Sequence, residues 1–261
     1  MALLRQLISY SFFSLLCFVP VAQAQNLPSQ DTGRFDVKVP VGRIVDIESL
    51  GSFADIYHAD DEISWHIYVP EDYDPNNPPG VFVFISPSKS GKAQASWYNA
   101  LKRENFIYIS ANKAGNLVPG KRRISNAALA VAYIDAHYEI NDARTVIAGF
   151  SGGGRISSLV VESVPGVFNA GIFMGGAFEW GGDPDTIKEQ LGGGAYVFMT
   201  GEFDQAQGEV QKTYRQYKKQ GLKHLKLVNG RKTGHEYPKR GAFASALKFI
   251  SKNLQPDNQA D

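Results

Sequence analysis

The chain has 261 residues, 27 Lys+Arg against 26 Asp+Glu, 43% apolar and 12% aromatic content, and one cysteine. So even a charge balance gives no electrostatic reason to expect a nucleic-acid or anionic-membrane partner. The apolar content excludes a disordered chain, and a single thiol excludes an internal disulfide framework.

Residues 1–24 read as an export signal. Arg5 is the positive start, 8–21 is an apolar stretch, and Ala22-Gln23-Ala24 is a small-x-small cleavage site. The stretch is shorter than the ~20 residues a bilayer span needs and ends in Pro20. Cleavage after Ala24 is expected, with a secreted or periplasmic location and no stable membrane insertion afterwards. Cys17 follows Leu16, where a lipoprotein signal needs a small residue, and is lost with the signal. Loss of Arg5 leaves the two signs of charge balanced. Residues 25–36 are expected to be flexible, 37–254 to form one domain, and 255–261 to be a disordered tail. No linker or repeat interrupts the domain, and nothing specifies an oligomeric state.

Residues 44–50 and 63–69 are read as half-buried strands with polar residues at alternate positions, an antiparallel edge. A turn cluster at 72–80 follows. The run 81–85 is continuously apolar and β-branched or aromatic, the pattern of a strand buried on both faces. The runs 106–110, 145–149, 170–174, 196–200 and 225–228 repeat it. Helical segments are expected near 94–103, 125–138, 152–163, 206–220 and 240–253. This alternation predicts an α/β fold with a mostly parallel central sheet of about eight strands and helices on both faces. Lys121-Arg122-Arg123 reads as a solvated loop before a helix, Asp183-Pro184-Asp185 as a turn rather than a calcium site, and Gly192-Gly193-Gly194 as a turn before a strand.

Chemistry concentrates at Gly149-Phe150-Ser151-Gly152-Gly153, a G-x-S-x-G pattern between a β-rich run and a helix-compatible one. A strand that turns sharply into a helix needs glycine on both sides of the serine, because a Cβ there would collide across the turn. The serine is then strained and exposed at the strand's carboxyl end, beside a helix N-terminus.

A base and an acid should follow in the order Ser, acid, His. His58, His66, His137 and His224 lie in the early chain, in an edge strand, near a helix end and at a strand start, and read as surface or packing residues. His235 lies after the final strand and before the final helix, on the sheet edge where Ser151 is expected. Glu202 and Asp204, after the strand 196–200, are both candidates for the acid. Gly201 could supply unusual dihedrals to that turn. Phe203, between the carboxylates, is expected to point into the core and send them along different directions.

These segments resemble the α/β-hydrolase superfamily, and within it the small secreted esterases related to polyhydroxybutyrate depolymerases and feruloyl esterases. The resemblance runs over about residues 40–253. It is carried by Asn141-Asp142-Ala143-Arg144-Thr145-Val146-Ile147-Ala148 leading into the serine motif, by Tyr68-Val69-Pro70-Glu71-Asp72-Tyr73, and by Gly234-His235. It implies an α/β-hydrolase fold with Ser151 as nucleophile, Asp204 as acid and His235 as base. Such enzymes carry His-Gly after the third sheet strand, where Ser86-Pro87-Ser88 stands here. Pro87 has no N–H, so Ser88 and Gly152 are the expected backbone donors of an oxyanion hole.

Only about twenty residues separate the strands near Met174 and Tyr196, too few for a large lid. An open site is expected, with Trp180 and Phe178 as aromatic walls and the loop 112–116, Asn116 included, reaching substrate. The substrate class is a small-molecule or polymeric ester, cleaved through an acyl-enzyme. No cofactor and no metal are expected: Ser90-Gly91-Lys92-Ala93 lacks the parts of a phosphate-binding loop, and zinc spacings are absent. Two rivals stand beside this reading. A serine peptidase or amidase could use the same triad, and a secreted binding protein could have kept the fold and lost the chemistry.

Overall fold

The computed structural model describes residues 31–254; the expected signal, residues 25–30 and the tail 255–261 lie outside the described residues. The strands are β1 (Gly33–Pro40), β2 (Glu62–Val69), β3 (Gly80–Ile85), β4 (Phe106–Ala111), β5 (Thr145–Phe150), β6 (Ala170–Met174), β7 (Ala195–Gly201) and β8 (His224–Gly230). They form one open eight-stranded sheet in the order β1-β2-β4-β3-β5-β6-β7-β8. β2 alone runs against the others, pairing antiparallel with β1 on one side and β4 on the other, and β3 to β8 pair in parallel.

The helices are α1 (Tyr98–Arg103), α2 (Gly120–Asp135), α3 (Gly152–Ser163), α4 (Pro184–Leu191), α5 (Gln207–Lys219) and α6 (Arg240–Asn253). The side-chain alternation along β3 explains why its apolar run has no polar gaps. Val81, Val83 and Ile85 enter a core shared with α2, α3, α4 and α5, whereas Phe82 and Phe84 enter a second core under α1 and α6. In the latter, the Trp97 ring stacks on Phe243 at 4.2 Å. Burying one such aromatic ring stabilises the fold by roughly 1.5–3 kcal/mol.

The sheet edge differs from the sequence reading. Residues 44–50 are not a strand: Val41–Arg43 and Ile47–Ile56 are 3-10 helices. Their buried residues recur at helical spacing, and the Asp46 side chain accepts the Glu48 N–H at 3.3 Å, capping the second turn. The alternation lies upstream in β1, where Arg34, Asp36 and Lys38 face solvent while Phe35, Val37 and Val39 pack on the core. β1 therefore starts at Gly33, inside the segment expected to be flexible. His66 consequently sits in an inner strand, 4% exposed, between Asp36 (2.8 Å) and the Tyr98 hydroxyl (3.1 Å).

Two polar segments also fold differently. Lys121-Arg122-Arg123 lies in the first turn of α2, which starts directly after an extended Pro119, and Arg123 is buried. Asp183 is the N-cap of α4, accepting the N–H groups of Asp185 and Thr186 at 3.1 Å, with Pro184 as the first helical residue. The expected turn is a helix start.

From β3 the chain turns one way to β4 and later the other way to β5. The crevice at the carboxyl ends of these neighbouring strands is where doubly wound sheets bind ligands. Both G-x-S-x-G and Ser86-Pro87-Ser88 leave the sheet there.

Candidate active site

Ser151 stands between β5 and α3 with φ 56° and ψ −120°, a conformation that L residues adopt only under constraint. The constraint is the glycine set around it. A Cβ on Gly149 would sit 2.3 Å from the Gly153 carbonyl oxygen, and one on Gly153 only 1.9 Å from that of Ile85. The turn is thus closed to side chains on both sides, as the motif predicts.

The serine hydroxyl does not stand alone. His235 Nε2 lies 2.8 Å from Ser151 Oγ, and His235 Nδ1 lies 2.8 Å from Asp204 Oδ1. The Asp204 side chain is 2% exposed, and the same Oδ1 accepts the Ala206 N–H at 2.8 Å. Phe150 tilts against the imidazole at 4.9 Å between centroids, and Tyr237 packs on Phe150 at 4.2 Å. An imidazole bonded to a hydroxyl on one side and a buried carboxylate on the other can take the hydroxyl proton while its own charge is balanced.

The acid turn and the histidine loop are laced together. Glu202 N–H donates to Gly230 O, Phe203 N–H to Thr233 O, and Lys232 N–H to Glu202 Oε2, at 2.8–2.9 Å. Glu202 therefore faces away from the imidazole and holds the backbone of its loop. A Cβ on Gly201 would meet the Thr233 carbonyl oxygen at 2.3 Å, so glycine is required there for close approach, and its φ is not positive. Phe203 does not enter the core as expected; it is 69% exposed, because the turn uses its backbone in the lacing and swings the ring outward.

The expected oxyanion donors fare differently. Gly152 is the first residue of α3, where an N–H has no intrahelical acceptor. The Ser88 N–H, in contrast, is engaged: it donates to Ser86 Oγ at 3.2 Å, a local side-chain-to-backbone closure that serine favours in turns. Beneath both segments lies Arg123, missed as a solvated loop residue. Its guanidinium donates to Ser86 O at 3.0 Å and Gly152 O at 3.4 Å, spacing the two walls of the crevice. Burial lowers its pKa to about 10. Only its position in the first turn of a helix facing β3 could have signalled this, and the basic run masked it.

Trp180 is not an aromatic wall. It is 7% exposed within the core, with its backbone N–H and C=O both bonded to Gln216 at 2.8 Å. Phe178 is half-buried against the Arg155 guanidinium, which the Glu209 carboxylate binds at 2.8 Å. Asn116 does reach the crevice, with its amide against Gly152. Among the described residues no group of three or more His, Cys, Asp or Glu side chains could hold a metal ion, and no helix is long and apolar enough to cross a membrane.

No protein-family model matches the sequence, and no curated protein matches it. The fold, however, matches solved structures. A carboxylesterase cloned from a metagenomic library, EstE1, aligns with a TM-score of 0.61 at 14% identity, over 85% of this chain and 90% of that one. The chain has the α/β-hydrolase fold. A thermophilic esterase from the planctomycete Thermogutta terrifontis shares it (TM-score 0.55, 16% identity, 75% of this chain and 88% of that one). So does the dipeptidyl peptidase 4 of Porphyromonas gingivalis (TM-score 0.56, 15% identity, 76% of this chain but 34% of that one). On this α/β-hydrolase fold, Ser151, Asp204 and His235 occupy the ends of β5, β7 and β8 along one sheet edge.

Proposed function

We propose that the protein is a serine esterase that hydrolyses carboxylic esters through an acyl-enzyme, without a cofactor. The observation that carries this is the single imidazole bridging Ser151 Oγ and Asp204 Oδ1 at 2.8 Å on each side. Ser151 Oγ attacks the ester carbonyl carbon while His235 Nε2 takes its proton. The carbonyl π pair moves to oxygen, towards the Gly152 N–H. Collapse expels the alcohol, which takes the proton from His235, and water repeats the sequence to free the acid. Asp204 holds the imidazole and balances its charge.

An ester is favoured over a peptide bond because EstE1 and the Thermogutta terrifontis esterase are spanned over 88–90% of their length, the aligned peptidase over 34%. The chain between β6 and β7 holds only the eight-residue α4, so the crevice is open. Soluble p-nitrophenyl esters should therefore be cleaved at rates that fall as the acyl chain lengthens from acetate to decanoate. A sharp rise in rate at the micelle threshold would contradict this and point to a lipase.

Export is inferred from residues 1–24 alone. Protein recovered from the periplasm or medium should begin at Gln25 on N-terminal sequencing. Retention of Met1 in the cell extract would overturn it.

A further inference from the structure

The oxyanion site has one open backbone donor and one engaged, and a third group stands between them. Asn116 follows β4 in a tight turn, closed by Val118 N–H to Gly115 O at 3.0 Å, that leaves Asn116 and Leu117 at its tip. Leu117 is 94% exposed. The turn is seated on Ser86-Pro87-Ser88: the Asn116 N–H donates to Pro87 O at 3.0 Å. A Cβ on Gly115 would lie 2.8 Å from the Ser88 carbonyl carbon. On the other side, a Cβ on Gly152 would lie 2.3 Å from Asn116 Oδ1 and 2.9 Å from Nδ2. The amide thus fills the space between the two segments whose N–H groups were expected to bind the oxyanion. It makes no hydrogen bond to any described residue.

We propose that the Asn116 side-chain amide is the second oxyanion donor, taking the place the Ser88 N–H would otherwise fill. This rests on the serine-esterase reading above. A half-turn about χ2 exchanges Nδ2 with Oδ1, the amide atom nearer Gly152, without moving the backbone, and so turns a donor towards the residue whose N–H is the first donor. As Ser151 Oγ bonds to the carbonyl carbon and the π pair shifts to oxygen, the two N–H groups meet the developing charge from two directions. The arrangement accounts for three facts together. Gly152 must lack a Cβ to admit the amide. A proline replaces one backbone donor, and Ser86 Oγ occupies the next. Arg123, bonded to Ser86 O and Gly152 O, fixes the gap the amide fills.

The test uses Asn116→Ala and Asn116→Asp, beside wild type and Ser151→Ala, on a p-nitrophenyl ester and its thiono counterpart. Both Asn116 variants alter an exposed turn tip, and their melting temperatures should stay near that of wild type. Aspartate keeps the shape but cannot donate. Removal of one oxyanion donor lowers kcat by about 10²–10³-fold, and both variants should do so with KM changed less than about threefold. Sulfur is a poorer acceptor than oxygen, so the oxo-to-thiono rate ratio should also fall, by about tenfold or more, which a structural role would not produce. If Ser151→Ala is inactive while Asn116→Ala turns over within about threefold of wild type, or keeps the wild-type ratio, the assignment to Asn116 is wrong and the esterase reading stands. Turnover by Ser151→Ala within about tenfold of wild type would overturn both.

Discussion

Replacing Ser151 with alanine is expected to lower kcat by about 10⁶-fold, the scale of loss when the nucleophile of a hydroxyl–imidazole–carboxylate unit is removed. The variant should fold, since alanine fits the space of serine; the strain at φ 56° falls on either residue alike. What disappears is the atom that forms the covalent bond. Residual turnover should then come from bound water activated by His235 and from the oxyanion donors alone. A loss of only tenfold would mean that Ser151 is a turn residue and that another group attacks.

The next largest effect belongs to the acid. Asp204→Asn should lower kcat by up to about 10⁴-fold with little change in KM, as in serine proteases. With its amide oxygen toward His235, asparagine keeps the bonds to Nδ1–H and the Ala206 N–H, but the imidazolium loses its counter-charge in a site where Asp204 is 2% exposed. With its nitrogen toward His235, it selects the tautomer that cannot take the serine proton. Glu202→Gln should change kcat only a few-fold, because an amide oxygen still accepts the Lys232 N–H. Steady-state kinetics of the two folded variants on one soluble ester rank them; the reverse ranking would move the role to Glu202.

Much of this arrangement was legible in the sequence, for identifiable reasons. β5 and β7, which lead to Ser151 and Asp204, are buried on both faces, so their apolar runs are uninterrupted and bounded by turn residues; β8, ahead of His235, was expected to be the same but is an edge strand and only half-buried. The serine motif is enforced by close backbone contacts, Gly149 against Gly153 and Gly153 against Ile85, where glycine is the only solution. His235 could be picked out by its place after the last strand. The edge was misplaced because β1 buries one face only, and its Arg34 and Asp36 fall in the polar stretch 25–36 that reads as loop. Arg123 and Trp180 were misjudged because exposure is a tertiary property: a basic run gives no sign that one member enters the space between two strand ends. Likewise nothing local to Ser88 shows that its N–H turns back on Ser86, nor that an asparagine 28 positions later in the chain, on the turn after β4, packs against Gly152.

The central claim is that Ser151 is a nucleophile activated by His235. Solved structures of the Thermogutta terrifontis esterase include forms phosphorylated by paraoxon and phosphoramylated by tabun, which makes an organophosphorus probe a natural reagent for the shared fold. The purified protein should be treated with a fluorophosphonate, digested and mapped by mass spectrometry. The account predicts one adduct per chain, on the peptide containing Ser151, and none on Ser151→Ala; an adduct on another residue, or equal labelling of Ser151→Ala, would contradict it.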